Sequence, residues 1–277
     1  MRIGRRIVLM ALVAGGLGVI AAFVMVLLVS AWQESQLGQR RRGPGPTLQA
    51  VAPEQREQAI ATVIAINASV QQQEAAILAV TTADVEQHAD FLAEPNTGIF
   101  RLLPRETYDY SDSPRKLSSD GGGAYYSFDC RTHRYGYRTN IGLERGELKG
   151  VFYGRDAGLY SVLGNVDLAE LTLDDPRVQP LVQLVPENQT LEQRLDLLWE
   201  GRYQRAGATT FSERVDADVD TTYLLRSIHD SPEGSDSLVA FRIVRRDRDG
   251  SLIIVWKMLK QFALLPEDTK DSQSGCS

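Results

Sequence analysis

Residues 7–31 run for 25 positions without a charged side chain. At about 1.5 Å of rise per residue such a run makes a helix of roughly 37 Å, longer than the ~30 Å hydrocarbon core of a bilayer. This one segment fixes the expected organisation: a tail of residues 1–6, a membrane anchor at residues 7–31, and all that follows on the far side. Trp32 comes next, a residue type that settles at headgroup level. The rival is a cleaved leader, with Arg2, Arg5 and Arg6 as its basic start and Val29-Ser30-Ala31 as a small-x-small cleavage pattern. A leader's apolar core is only about 7–15 residues long, so the length favours an uncleaved anchor. Cleavage after Ala31 would instead release a secreted binding protein.

Three arginines precede the span (Arg2, Arg5, Arg6) and three follow it (Arg40, Arg41, Arg42). The first three crowd into six residues beside the α-amino group, and such a tail stays in the cytoplasm. The rest of the chain is therefore expected outside it, periplasmic or extracellular, at the cell membrane. Ala14, Gly18 and Ala22 repeat at four-residue spacing along the anchor. Small residues in that pattern let helix backbones approach closely, so this face is expected to pack on another membrane helix, its own copy or a partner's.

Past residue 46 the charge reverses. Residues 47–277 hold 24 basic and 35 acidic side chains. So acidic a domain repels phosphate backbones, and nucleic acid is not an expected partner. With 43% apolar and 24% charged residues the composition is that of a folded protein rather than a disordered one. Two cysteines, Cys130 and Cys276, are too few for a disulfide framework, and two free thiols are the expectation.

Gly and Pro in residues 39–46 mark a linker over residues 32–52. A helical segment follows at residues 53–93. Val63, Ile66, Val70, Ile77 and Val80 form a stripe that reads as a coiled-coil seam or as the inner face of a packed helix, and Thr81-Thr82 caps a second helix. Residues 94–266 read as the soluble domain, with a subdivision near residue 185, and residues 267–277 as a polar tail. Strand-like runs occur at residues 124–129, 141–143, 148–153, 159–163 and 166–172, with Gly164-Asn165 as a turn. Thr190 and Gln193 form a capping box for a helix over residues 190–206, with Leu191, Leu195, Leu198 and Trp199 on one face. Residues 221–228, 238–245 and 252–262 alternate as strands, and Asp249-Gly250 is a strong hairpin signal. On residues 238–245 the face carrying Val239, Phe241 and Ile243 is wholly apolar and is expected to face the core. The fold class is α+β: an antiparallel sheet with packed helices behind a single membrane helix.

The chemistry is sparse. The chain carries no nucleophile elbow, no zinc-protease helix motif, no P-loop and no dinucleotide fingerprint, and no cofactor is expected. Cys130 and His133 have a metal-like spacing, but residues three apart on a strand point to opposite faces and no second pair follows, so no metal is expected. Asp216, Asp218 and Asp220 alternate but lack the glycine of a calcium loop. One stretch stands out in the acidic domain. Tyr125, Tyr126, Arg131, Arg134, Tyr135, Tyr137 and Arg138 interleave the residue types that dominate binding hot spots, and they are the candidate recognition surface.

The sequence thus points to a non-catalytic, membrane-anchored extracytoplasmic domain: an accessory, scaffolding or binding subunit whose partners are the bilayer and other membrane or envelope proteins. The alternative is an anchored hydrolase of envelope polymers, working with carboxylates drawn from Glu144, Glu147, Asp174 and Asp175.

Overall fold

The alternating runs of the C-terminal third do become the backbone of the fold. The computed structural model describes residues 52–150, 152, 156–201, 205–206, 209–230 and 234–265. The chain divides into two compact units, residues 1–63 and 64–277, and the described part of the first is residues 52–63. The expected anchor, with Ala14, Gly18 and Ala22, and the tail with Cys276 lie outside the described residues. Among the described residues no helix is long and apolar enough to cross a membrane.

The fold is α+β with antiparallel sheet. In chain order, helix α1 (Pro53–Leu78) precedes two short helices, α2 (Thr82–Gln87) and α3 (Ala89–Leu92). Next come strand β1 (Thr97–Leu102), helix α4 (Arg105–Tyr108), and strands β2 (Tyr125–Ser127), β3 (Thr132–His133), β4 (Ile141–Glu144), β5 (Glu147–Lys149) and β6 (Ala157–Gly164). Helices α5 (Gln179–Leu184) and α6 (Leu191–Gly201) interrupt the strands, which resume as β7 (Arg205–Ala206), β8 (Thr209–Ser212), β9 (Arg214–Asp216), β10 (Thr222–His229), β11 (Ser235–Arg246) and β12 (Leu252–Gln261). A seven-stranded sheet runs in the order β1-β12-β11-β10-β6-β8-β7, and a five-stranded sheet in the order β3-β2-β4-β5-β9.

Alternation decides what each layer buries. Val239, Phe241 and Ile243 turn inward, as their apolar face predicts, and join Tyr160, Tyr223, Leu225 and Trp256 against Tyr126, Phe128, Ile141, Leu143 and Leu148 of the smaller sheet. Phe100 stacks on Tyr126 with ring centroids 3.7 Å apart. Each large side chain buried here contributes roughly 1.5–3 kcal/mol of apolar burial. The opposite face of the large sheet, with Leu159, Leu224, Leu238 and Ala240, is covered by Leu181 of α5 and Leu195 and Leu198 of α6. Both faces of the central strands are therefore buried. At one corner the two layers touch backbone to backbone: a Cβ built on Gly158 of β6 would lie 2.1 Å from the Gly150 carbonyl oxygen.

A buried ion cluster fastens α6 to the sheet. Asp236 accepts from Arg226 Nε at 3.0 Å and Nη2 at 2.8 Å, and from Arg194 Nη1 at 3.1 Å. All three side chains are inaccessible to solvent. Two cations meet one carboxylate, and the surplus positive charge is directed at carbonyls: Arg226 donates to Leu181 and Val182, at the end of α5, and Arg194 to Gln189, Glu187 and Ala263. Arg226 also lies 3.9 Å from the centre of the Phe262 ring.

Capping and turn chemistry hold. Gln193 N donates to Thr190 Oγ1 and Thr190 N to Gln193 Oε1, and Thr81 caps α2 through a reciprocal pair with Asp84. Gly250 takes φ 88° in the β11–β12 turn, as an Asp-Gly hairpin requires. Three expectations need correction. Helix α6 ends at Gly201, not near residue 206, and Arg205-Ala206 joins the sheet; a Cβ on Gly201 would meet Leu184 and Leu159, so the helix terminus is pressed onto its neighbours. Residues 166–172 form turns rather than a strand. The Val166 carbonyl is taken by the side chains of Thr222 and Arg242, and Asp167 Oδ1 accepts Ala169 N, so these groups are withdrawn from any ladder. Of the stripe on α1, Ile77 packs with Leu78 against Leu103, Tyr108 and Leu117, whereas Val63 and Ile66 are exposed.

Candidate binding surface

The aromatic and arginine segment is built around β2 and β3. Tyr126 pairs with His133 and Ser127 with Thr132, and a tight loop joins them with Arg131 at φ 53°. Beyond β3 the chain stays pinned. Arg134 N donates to the Tyr125 carbonyl, Thr139 N to Gly136, and Thr139 Oγ1 to the Arg134 carbonyl at 2.8 Å. Gly136 at φ 110° and Arg138 at φ 65° supply the reversals that fold this loop back. A non-glycine residue in the left-handed region is uncommon and persists where its surroundings hold it.

The structure splits the seven expected residues. Tyr125, Tyr126 and Arg138 are buried. Tyr126 belongs to the core between the sheets. Tyr125 packs beneath the loop, its ring 4.7 Å from that of Tyr135, and its hydroxyl donates to Glu144 Oε1 at 2.8 Å. Burial, and then the Glu144 carboxylate, push the Tyr125 phenol well above its ordinary value. Burial raises Tyr126 to about 12, so neither ring ionises at neutral pH. The other four reach the surface. Tyr135 is 46% and Tyr137 49% exposed, Arg131 is exposed and Arg134 half-buried. Arg131 donates to Asn96 Oδ1 at 3.2 Å and lies 5.7 Å from the Trp256 ring centre.

Cys130, at the base of this loop, is disulfide-bonded, which corrects the expectation that it is a free thiol; Cys276 lies outside the described residues. A disulfide-bonded sulfur is not a thiolate nucleophile. His133 Nε2 lies 2.7 Å from the Arg101 carbonyl oxygen, and burial lowers its pKa. Of the carboxylates considered for hydrolysis, Glu144 and Glu147 stand opposite each other across β4 and β5, and basic partners take both and Asp175. Glu144 takes Arg105 and Tyr125, Glu147 pairs with Arg214, and Asp175 with Arg177. Asp220 pairs with Arg242 at 3.4 Å. Among the described residues no group of three or more His, Cys, Asp or Glu side chains is placed to hold a metal ion.

Sequence reasoning missed a buried polar cluster beside the loop, at the end of the sheet interface. Asn140 Oδ1 accepts Phe128 N at 2.7 Å, which orients its amide so that Nδ2 faces His229 Nε2 at 3.0 Å. The ring therefore accepts at Nε2 and carries its proton on Nδ1, which is 3.0 Å from Asp156 Oδ2 though not aligned as a hydrogen bond. Ser227 Oγ also lies 3.0 Å from Nε2. Serine, histidine and aspartate stand here in the order of an acyl-transfer triad. However, the one Nε2 lone pair already receives the Asn140 amide, and Ser227 and His229 are 1% and 0% exposed. Asp129 extends the cluster by accepting from Ser235 Oγ at 3.1 Å. The members come from separate segments, so only the i, i+2 spacing of Ser227 and His229 on one strand face could have signalled it. The geometry ties β2, β4, β6, β10 and β11 together and sets the base of the loop that carries Tyr135 and Tyr137. The chain matches no family model, and no curated protein or solved structure proved similar to it.

Proposed function

We propose that this chain is a membrane-anchored, extracytoplasmic accessory or binding subunit of a membrane or envelope assembly, and that residues 131–137 contact its protein partner. The observation that carries this reading is the presentation of Tyr135 and Tyr137, each about half exposed, on a loop whose backbone is pinned by Arg134, Gly136 and Thr139. Rigid aromatic side chains lose little conformational entropy on binding, and a pre-organised loop avoids the cost of ordering. Arg131 and Arg134 flank them and supply charge-assisted hydrogen bonds, which suits an acidic or carbonyl-rich partner surface. The uncharged run of residues 7–31 supports the tether, and the arginines before it support the orientation.

The test is isolation of the tagged full-length chain from membranes in mild detergent, beside the Tyr135→Ala/Tyr137→Ala double variant. A stoichiometric partner retained by the wild type and at least about tenfold depleted from a folded double variant is expected, the loss typical of hot-spot truncation. Recovery of the wild-type protein alone and monomeric, or equal retention by both forms, would overturn the reading.

A further inference from the structure

Helix α1 packs at its C-terminal end and is bare toward its start. At the packed end Glu74 is buried and accepts from the Ser118 hydroxyl at 2.7 Å, and Ile77 and Leu78 meet Leu103, Tyr108 and Leu117. From residue 52 to residue 69 every position is exposed. Ile60, Val63, Ile64 and Ile66 are each more than half exposed. At about 100° of turn per residue these four fall within roughly 160° of arc, the width of a face that a helix ordinarily turns to a core. The opposite side carries Glu54, Gln58, Ala61, Ala65 and Ser69. Ile60, Val63, Asn67 and Val70 keep the alternating three- and four-residue spacing of a two-stranded seam, β-branched at every position but Asn67. One asparagine in such a seam fixes register and strand number at a cost in stability.

We propose that this face is covered by a second copy of the chain: two α1 helices pair in parallel along Ile60, Val63 and Asn67, with Ile64 and Ile66 closing the flanks. The pairing rests on the anchored reading of residues 7–31 and concerns a surface other than the loop of Tyr135 and Tyr137. A tether on the N-terminal side of every copy brings the helices together parallel and level. Asn67 of one copy then faces Asn67 of the other, and an amide, which both donates and accepts, is its own complement. Arg56 lies four residues before Ile60, at a seam position, and Glu57 follows it. In a level parallel pair each Arg56 enters the hole edged by Glu57 of the other copy, so opposite charges meet at the open end. So short a seam hides less than the ~1,200 Å² of a free-standing interface. Confinement of both copies to one bilayer supplies the remainder, by raising the concentration at which each helix sees the other.

The experiment is oxidative cross-linking of the full-length chain in its membranes with copper phenanthroline. Val63→Cys places a thiol on the seam and Ala65→Cys one on the opposite side, both at exposed positions, with the wild type as background. The expected result is a product of twice the chain mass from Val63→Cys, joined at residue 63 to residue 63 by mass spectrometry, and no more than background from Ala65→Cys. Adding Ile60→Glu with Ile64→Glu to Val63→Cys should lower that yield by at least about tenfold. Equal cross-linking at both positions, none at either, a product joined to a different protein, or a yield unchanged by the two glutamates would each overturn the pairing. Alkaline carbonate extraction of the same membranes reads the anchor separately. A chain released by it sinks the anchored reading, and cross-linking of that released chain still decides the seam by the same outcomes.

Discussion

The side-chain amide of Asn140 faces His229 Nε2 at 3.0 Å while its own carbonyl holds the Phe128 amide at 2.7 Å. One residue thereby satisfies a backbone donor in the small sheet and an imidazole on the large one. Asn140→Leu leaves the Phe128 amide buried without a partner, at a cost of about 1–3 kcal/mol, while Ser227 Oγ, 3.0 Å away, still serves His229 Nε2. A loss of about 1–3 kcal/mol in urea unfolding is expected, with Asn140→Asp, which keeps an acceptor for Phe128, losing less.

Asp236 is the sole carboxylate among the described partners of Arg194 and Arg226. Asp236→Asn leaves two buried guanidinium groups facing an amide. Breaking a buried pair from one side costs about 3–5 kcal/mol, and equilibrium denaturation should show a loss of that size. The exposed pair Arg214–Glu147 is the control: its removal should change stability by less than about 1 kcal/mol.

Two carboxyls give stability an acid limb. For Asp84, burial raises the pKa, but hydrogen bonds from Arg245 and Thr81 together outweigh it and hold the group below 3.8. Asp249 is lowered in the same way, burial opposing and the Tyr108 hydroxyl and Ser251 prevailing. Both bind protons more weakly folded than unfolded. Their contribution is complete above the unfolded value and is lost as pH falls from there through the folded one. Thermal melts should decline below about pH 4, and Asp84→Asn should flatten that decline.

Gly158 permits no side chain. A Cβ there would stand 2.1 Å from the Gly150 carbonyl oxygen, and backbone cannot step aside as a flexible side chain can. Gly158→Ala should destabilise by about 1–3 kcal/mol or more, measured by the same unfolding assay. Gly136→Ala tests a different cost, since open space surrounds that position and only its φ of 110° resists the change.

Local chemistry was legible where one segment decides the outcome. The Thr190–Gln193 box, the Asp249-Gly250 turn and the inward face of Val239, Phe241 and Ile243 follow from spacing alone. Tyr125 and Tyr126 show why the binding segment was only half legible. Alternation places them on opposite faces, but both faces of β2 are covered, one by the large sheet and the other by the loop carrying Tyr135. Arg194 and Arg226 give no such signal, because Asp236 meets one only when β10 and β11 pair and the other only when α6 packs on the sheet. Ser227, Asn140, Asp156 and His229 escaped for the same reason: a buried polar cluster is defined by closure of the fold, not by any window of sequence.

The contact at Gly158 gives the two layers a taper. Stacked sheets normally stand about 10 Å apart, the depth of interleaved side chains, and Tyr160, Tyr223, Phe241 and Trp256 fill the thick end. At the thin end Ser227 pairs with Gly158 on one side and Ser237 on the other, where only small or flat polar groups fit. The layer between the sheets is thus aromatic around Phe241 and reduced to backbone contact beside Gly158, where any added side chain must part them.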